Sequence, residues 1–168
     1  MELAFRKVES EEQIESLARL ASEIWNEYFV GIIAVEQIEY MLGKFQSVEA
    51  LTDLVGRRGY EYYFMNANGE NVGYLGIKPE EEKLFLSKFY IRKEHRGQGY
   101  ASQAIRFLET ECRGRGLGAI WLTVNRHNDS TISIYGKKGF RVVREQAADI
   151  GNGFVMDDYV MEKEVAPA

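Results

Sequence analysis

Arg96-Gly97-Gln98-Gly99-Tyr100-Ala101 is the stretch with the clearest chemistry; it follows an extended apolar run and opens a helical one. The first N–H groups of a helix lack partners within it, and the helix dipole adds partial positive charge there. Glycines at 97 and 99 let the backbone approach a diphosphate closely. Arg96 adds a cation whose planar fork suits phosphate. The chemistry implied is capture of a phosphorylated ligand by main-chain amides. Two other phosphate motifs fail on their residues. A P-loop needs Gly-x-x-x-x-Gly-Lys-Ser/Thr, which the chain lacks, and a dinucleotide fingerprint needs a glycine at 102, where Ser102 stands.

Metal and thiol chemistry find little support. His95 and His127 are far apart, with no ligand spacing and no cysteine pair, so no metal is expected. Cys112 lies between Glu111 and Arg113 on a helical stretch and reads as a small buried residue rather than a nucleophile.

The elements that position these residues follow from periodicity. Residues 2–8 suit a first strand. Ser10-Glu-Glu-Gln13 is a capping box, and Ile14, Leu17, Ala18, Ala21, Ile24, Trp25 and Tyr28 form one helical stripe after it. Gly31 breaks that helix. A second helical stretch is expected from Val35 to Val55, with an interruption near Ser47. Aromatic-rich Tyr60 to Met65, a turn at Asn66-Ala-Asn-Gly69, Asn71 to Lys78 and Leu84 to Ile91 read as a three-stranded antiparallel meander. The helix opened by the glycine loop buries Ala101, Ala104, Ile105, Leu108 and Cys112, and Gly114, Gly116 and Gly118 are expected to stop it. Ala119 to Val124 reads as a strand, and Asn128 to Lys137 as a short helix closed by Gly139. Phe140 to Gln146 and Phe154 to Lys163 read as two strands around a turn at 150–153. The order β-α-α-β-β-β-α-β-α-β-β belongs to an α+β or mixed α/β sheet with helices on its faces.

Composition narrows the class. The chain has 168 residues, 45% of them hydrophobic and 28% charged, which suits one globular domain over 1–168 and excludes a disordered chain. One cysteine excludes a disulfide scaffold and favours a reducing compartment. No apolar run reaches the roughly 18–20 residues of a membrane span, and Met1 to Glu12 lacks the apolar core of a signal peptide, so a cytoplasmic location is expected. A net charge of −5 argues against nucleic acid as the main partner. The charge is uneven. Residues 1–80 carry −7 and residues 81–168 carry +2; for most of these residues this reads as solvated surface, and the sharper alternative is a second half that tolerates phosphate beside a first half that attracts a cation.

Arg96-Gly-Gln-Gly-Tyr-Ala101 resembles the Arg/Gln-x-x-Gly-x-Gly/Ala motif of the GNAT superfamily of acyl-CoA N-acyltransferases. A second block agrees. Val124-Asn-Arg-His-Asn128 followed by Tyr135-Gly-Lys-Lys-Gly-Phe140 is similar to the family's Val-x-x-x-Asn and Tyr-x-x-x-Gly-Phe signature, with Asn and Tyr seven apart. The element order matches as well, so the resemblance covers nearly the whole chain. Three residues depart from frequent choices: Ala101 for Gly, Lys93 for Pro and Thr131 for Ala.

The resemblance implies a mostly antiparallel seven-stranded sheet flanked by helices, with acetyl-CoA as co-substrate. It places the CoA pyrophosphate on Arg96, Gly97, Gln98, Gly99, Tyr100 and Ala101. Backbone groups near Phe89, Tyr90 and Ile91, where the strand splays from its neighbour, would hold the pantetheine and the acetyl carbonyl. Asn128 would contact the pantetheine region, although asparagine there also suits a helix N-cap. Tyr135 would be the general acid for the departing thiolate in direct transfer to an amine within a ternary complex. Phe89 and Ile91 also suit core packing, and so does the Trp25–Phe29 cluster, where family members wall the acceptor pocket.

Glu23, Glu27, Asp157 and Asp158 are carboxylates that could serve as general base, and none is assigned. The acceptor class resembled most is a polyamine or other small amine, through the runs at 86–91 and 120–124 and the acidic Asp157-Asp158. A protein N-terminal or lysine acetyltransferase and a non-catalytic acyl-CoA-binding module stand as alternatives, and a homodimer is a family expectation.

Overall fold

The computed structural model describes residues 2–167. Its elements are β1 (Ala4–Lys7), α1 (Glu11–Tyr28), α2 (Val35–Phe45), α3 (Val48–Arg57), β2 (Glu61–Ala67), β3 (Glu70–Pro79) and β4 (Lys83–Ile91). A single 3-10 turn at Lys93–His95 follows, then α4 (Tyr100–Arg115), β5 (Ala119–Asn125), α5 (Asp129–Lys137), β6 (Arg141–Gly151) and β7 (Phe154–Glu164). The strands form one seven-stranded sheet in the order β1-β2-β3-β4-β5-β7-β6. The sheet is mostly antiparallel, with one parallel pair, in which Lys83–Phe85 of β4 face Ala119–Trp121 of β5. The chain falls into two compact units. One runs up to Lys78 and takes in Lys88–Ala104; the other is Pro79–Ser87 with the chain from Ile105 onward.

In the first unit the capping box forms as expected. The Ser10 hydroxyl accepts from Gln13 N at 3.1 Å, and the Gln13 side chain accepts from Ser10 N at 2.8 Å. The apolar stripe of α1 buries Ile14, Leu17, Leu20, Ala21, Ile24 and Trp25, while Ala18 and Tyr28 stay half-buried. The helical stretch after Val35 is two helices. Ser47 is extended (φ −72°, ψ 163°), and its hydroxyl accepts from Ala50 N at 3.2 Å, so it caps a new helix instead of continuing the old one. Buried on nearly every residue, β2 forms the middle of this unit. The turn after it is tighter than expected. Strand pairing continues through Ala67, leaving Asn68-Gly69 as a two-residue turn with both φ values positive. Asn66 supports that turn, donating to Asn71 Oδ1 at 3.0 Å and accepting from Gly69 N at 3.1 Å. A methyl group on Gly73 of β3 would collide with the Tyr90 carbonyl oxygen, so glycine here lets β4 lie close.

In the second unit α4 runs through Gly114 and ends at Arg115. Gly116 (φ +71°) makes the reversal, with Leu117 N donating to Cys112 O at 2.8 Å and Gly116 N to Arg113 O at 3.4 Å, a Schellman closure. Of the three glycines expected to stop the helix, only Gly116 does so. The last hairpin is also tighter than expected: β6 continues to Gly151, and Asn152-Gly153 (φ 55° and 79°) make the turn. One face of β4 and β5 buries Leu84, Leu86, Ile120, Leu122 and Val124.

Candidate functional site

The glycine loop lies in the first unit, between the end of β4 and the start of α4. Phe89, Tyr90 and Ile91 form the last residues of β4, each half-buried. After the 3-10 turn, Gly97 and Gly99 both adopt φ +79°. A Cβ at either position would meet no atom within 4 Å. Conformation alone therefore demands glycine here, because an L side chain at this φ costs about 1–2 kcal/mol. Gly97, Gln98 and Gly99 are exposed, Tyr100 is buried and Ala101 half-buried. Gly99 has no side chain with which to cap α4, a helix of 16 residues. Gln103 N makes an early helical bond to Gly99 O at 3.3 Å. Open space therefore adjoins both glycines at the N-terminal end of α4, the end whose dipole favours an anion.

Three basic side chains of this loop stand beside carboxylates. Arg92 pairs with Glu23 at 2.8 Å, His95 lies 3.5 Å from Glu70, and Arg96 lies 3.7 Å from Glu27. Glu23 and Glu27 are one helical turn apart on α1, so their side chains leave the same face. Sequence reading offered both only as bases. Spacing four apart, matched by Arg92 and Arg96, was the available signal for a ladder.

An aromatic cluster forms around Tyr90 in the same unit. Its ring meets Trp25 at 5.4 Å, Tyr28 at 5.6 Å, Tyr74 at 5.7 Å and Phe29 at 5.9 Å, mostly edge to face. The Tyr74 hydroxyl donates to Gln46 Oε1 at 2.6 Å, and burial pushes its pKa well above the usual phenol value. Tyr90 was read from sequence for its backbone; its ring is also the hub of this cluster, a role no local pattern displays.

The second block lies in the other unit. Asn128 is buried and caps α5, its side chain accepting from Thr131 N at 3.4 Å. Two turns along the same helix, Tyr135 is 8% exposed, its ring edge-on to Phe140 at 5.3 Å. Tyr135 O accepts from Lys138 N and Phe140 N, both at 3.0 Å, which closes the helix. The Tyr-x-x-x-Gly-Phe signature thus has a local physical role besides any chemical one.

Of the two remaining carboxylates, Asp157 pairs with Arg126 at 2.8 Å, and Asp158 is 4% exposed, in register with Asn125 and Gln146. Burial pushes the Cys112 thiol up to about 11, so it stays protonated at neutral pH, a poor nucleophile. Among the described residues no group of three or more His, Cys, Asp or Glu side chains is placed to hold a metal ion. No helix is long and apolar enough to cross a membrane.

Residues 17–140 match the family model described as Acetyltransferase (GNAT) family. A spermidine N(1)-acetyltransferase of Thermoplasma acidophilum is 26% identical over 161 residues, covering 94% of this chain and 97% of that protein. The crystal structure of the PaiA N-acetyltransferase of Thermoplasma acidophilum in complex with coenzyme A superposes with a TM-score of 0.79 at 24% identity, covering 98% and 99% of the two chains. A GCN5-related N-acetyltransferase structure from Rhodopseudomonas palustris reaches a TM-score of 0.81 at 16% identity, covering 98% and 96%. The chain belongs to the GNAT family of acetyltransferases. It is an N-acetyltransferase, with acetyl-CoA as the co-substrate of its family.

Proposed function

We propose that this chain, acting as a single domain, moves the acetyl group of acetyl-CoA directly to the primary amine of a polyamine or similar small molecule. The observation that carries the donor half is the loop at 96–101. Two left-handed glycines with open space above them lead straight into the first turn of α4. The diphosphate takes the amides of residues 97–101 together with the Arg96 guanidinium. Backbone groups of Phe89, Tyr90 and Ile91 hold the pantetheine arm, as strand edges hold extended ligands. Asn128 contacts the same arm while capping α5.

In the transfer the amine nitrogen attacks the thioester carbon, the N–C bond forms, and the C–S bond breaks with its electron pair on sulfur. Tyr135 gives its phenolic proton to that sulfur, the nitrogen, cationic once bonded to carbon, loses a proton to water to leave the neutral amide, and Tyr135 regains a proton from solvent. A phenol with a pKa near 10 is protonated at neutral pH and can donate to the thiolate as charge develops on sulfur; the product thiol, with a pKa near 8.5, stays protonated at that pH. The ammonium form of the acceptor, with a pKa near 10.4, must first lose its own proton to water, at about 4–5 kcal/mol at pH 7.

Support for a polyamine comes from the full-length similarity to a spermidine acetyltransferase and from the −7 charge of residues 1–80. The test is release of CoA thiol from acetyl-CoA with spermidine, spermine, simple alkylamines, aminoglycosides and short peptides in turn. Saturable release is expected with spermidine or spermine and little with peptides. Faster turnover of peptides would replace the small-amine reading with a protein acetyltransferase. Acetyl-CoA binding with no release from any amine would leave a non-catalytic module.

A further inference from the structure

The first unit already holds one cation where an amine would be recognised. The Arg96 guanidinium carbon lies 4.8 Å from the centre of the Tyr28 ring, and its Nη2 lies 3.7 Å from Glu27 Oε1. An aromatic face beside a carboxylate is the standard chemistry for an alkylammonium group. Tyr28 is braced for that role by Phe29 at 5.0 Å and Tyr90 at 5.6 Å. Arg96 is also a residue of the glycine loop, and its Nε donates to Ile91 O at 3.0 Å. The same guanidinium therefore answers to two neighbours, the loop and the end of α1.

The two rungs of the ladder differ in strength. Arg92 and Glu23 meet at 2.8 Å, hydrogen-bond distance, whereas Arg96 and Glu27 stand at 3.7 Å. Both Arg96 and Glu27 are partly exposed, at 36% and 41%. Such a pair is weak and exchanges readily, and a diphosphate with two or more negative charges competes well against one carboxylate.

We infer that Tyr28 and Glu27 form the acceptor's ammonium site and that Arg96 occupies it until the diphosphate of the donor draws the guanidinium away. This inference rests on the donor reading given above. It makes Glu27 an acceptor-binding carboxylate, and it makes donor and acceptor binding mutually reinforcing. By linkage, whatever the donor adds to acceptor affinity, the acceptor adds to donor affinity. It also favours a compact cationic end on the acceptor over a neutral or anionic one.

The experiment is calorimetric titration of coenzyme A into the native chain and Glu27→Gln at low salt. It is joined to steady-state kinetics with whichever amine of the panel above is turned over fastest. Removing the carboxylate frees Arg96, so Glu27→Gln should bind coenzyme A about threefold more tightly than native. The same variant should raise the amine KM about tenfold while kcat stays within about twofold. Tyr28→Leu should raise that KM as well, and Tyr28→Phe, which keeps the ring, should restore it. Unchanged or weaker coenzyme A binding by Glu27→Gln overturns the inference. So does a loss confined to kcat, which would make Glu27 a base. A native chain that binds no coenzyme A would instead bring down the donor reading itself.

Discussion

Two helices of this molecule begin in opposite ways. At α5 the chain satisfies its own first turn: Asn128 is buried and its side chain accepts from Thr131 N. At α4 the preceding residue is Gly99, with no side chain to offer, φ at +79° and nothing within 4 Å of where a Cβ would sit. Both termini carry the same dipole and the same excess of N–H groups. One closes on itself and so can place a side chain, Tyr135, at a fixed depth. The other has no side chain at its cap position. On the proposed reading, the self-capped helix positions the acid and the glycine-led helix takes the diphosphate.

The largest effect should come from the self-capped helix. Tyr135→Phe keeps the ring against Phe140 and removes only the hydroxyl. Turnover should fall about a hundredfold, the lower range for loss of a general acid. Coenzyme A affinity should change by less than about twofold. Unchanged turnover would take Tyr135 out of the acid role and leave it as the residue that closes α5 onto Phe140.

Next in size is Gly99→Asp. It places a carboxylate at the mouth of the proposed diphosphate site and an L side chain at φ +79°. Together these should weaken coenzyme A binding about thirtyfold, roughly 2 kcal/mol. Gly99→Ala separates the two causes, since it keeps the strain without the charge. It should lower stability by about 1 kcal/mol and affect binding less. Equal affinities for native and Gly99→Asp in a titration would sink the loop assignment.

Features that depend on near neighbours were readable from sequence. The Ser10 box, the stripe from Ile14 to Trp25, the two Asn-Gly turns and the Asn128 cap all act within a few residues, so pattern suffices. The break at Ser47 was only half legible. Helix-forming residues continue on both sides, and the hydroxyl bond to Ala50 decides it. Gly114, Gly116 and Gly118 look equivalent in sequence; the return bond from Leu117 to Cys112 selects Gly116. Spacing was enough to pick out the glycine loop and Tyr135 as candidates. The ring of Tyr90 as hub and the pairing of Arg96 with Glu27 could not be found that way, because, Tyr74 aside, they join residues some 60 or more positions apart. Those contacts are made by the fold, and local periodicity does not encode them.

The smallest effect sharpens the contrast between the helix ends. Asn128→Ala removes the cap of α5 and should cost about 1 kcal/mol of stability, or about 2–4 °C in Tm by thermal denaturation. Asn128→Asp keeps an oxygen at the same place and adds a charge that favours a helix N-terminus, so its Tm should stay within about a degree of native. Coenzyme A titration of the same two variants then separates Asn128's two roles. If it only caps, Asn128→Asp binds coenzyme A as the native chain does. If its amide N–H₂ also reaches the pantetheine arm, Asn128→Asp weakens binding at unchanged Tm, because a carboxylate has no N–H to donate. A cap that doubles as a ligand donor would place part of the donor site on the self-satisfied helix, and the division of labour between α4 and α5 would be one of degree.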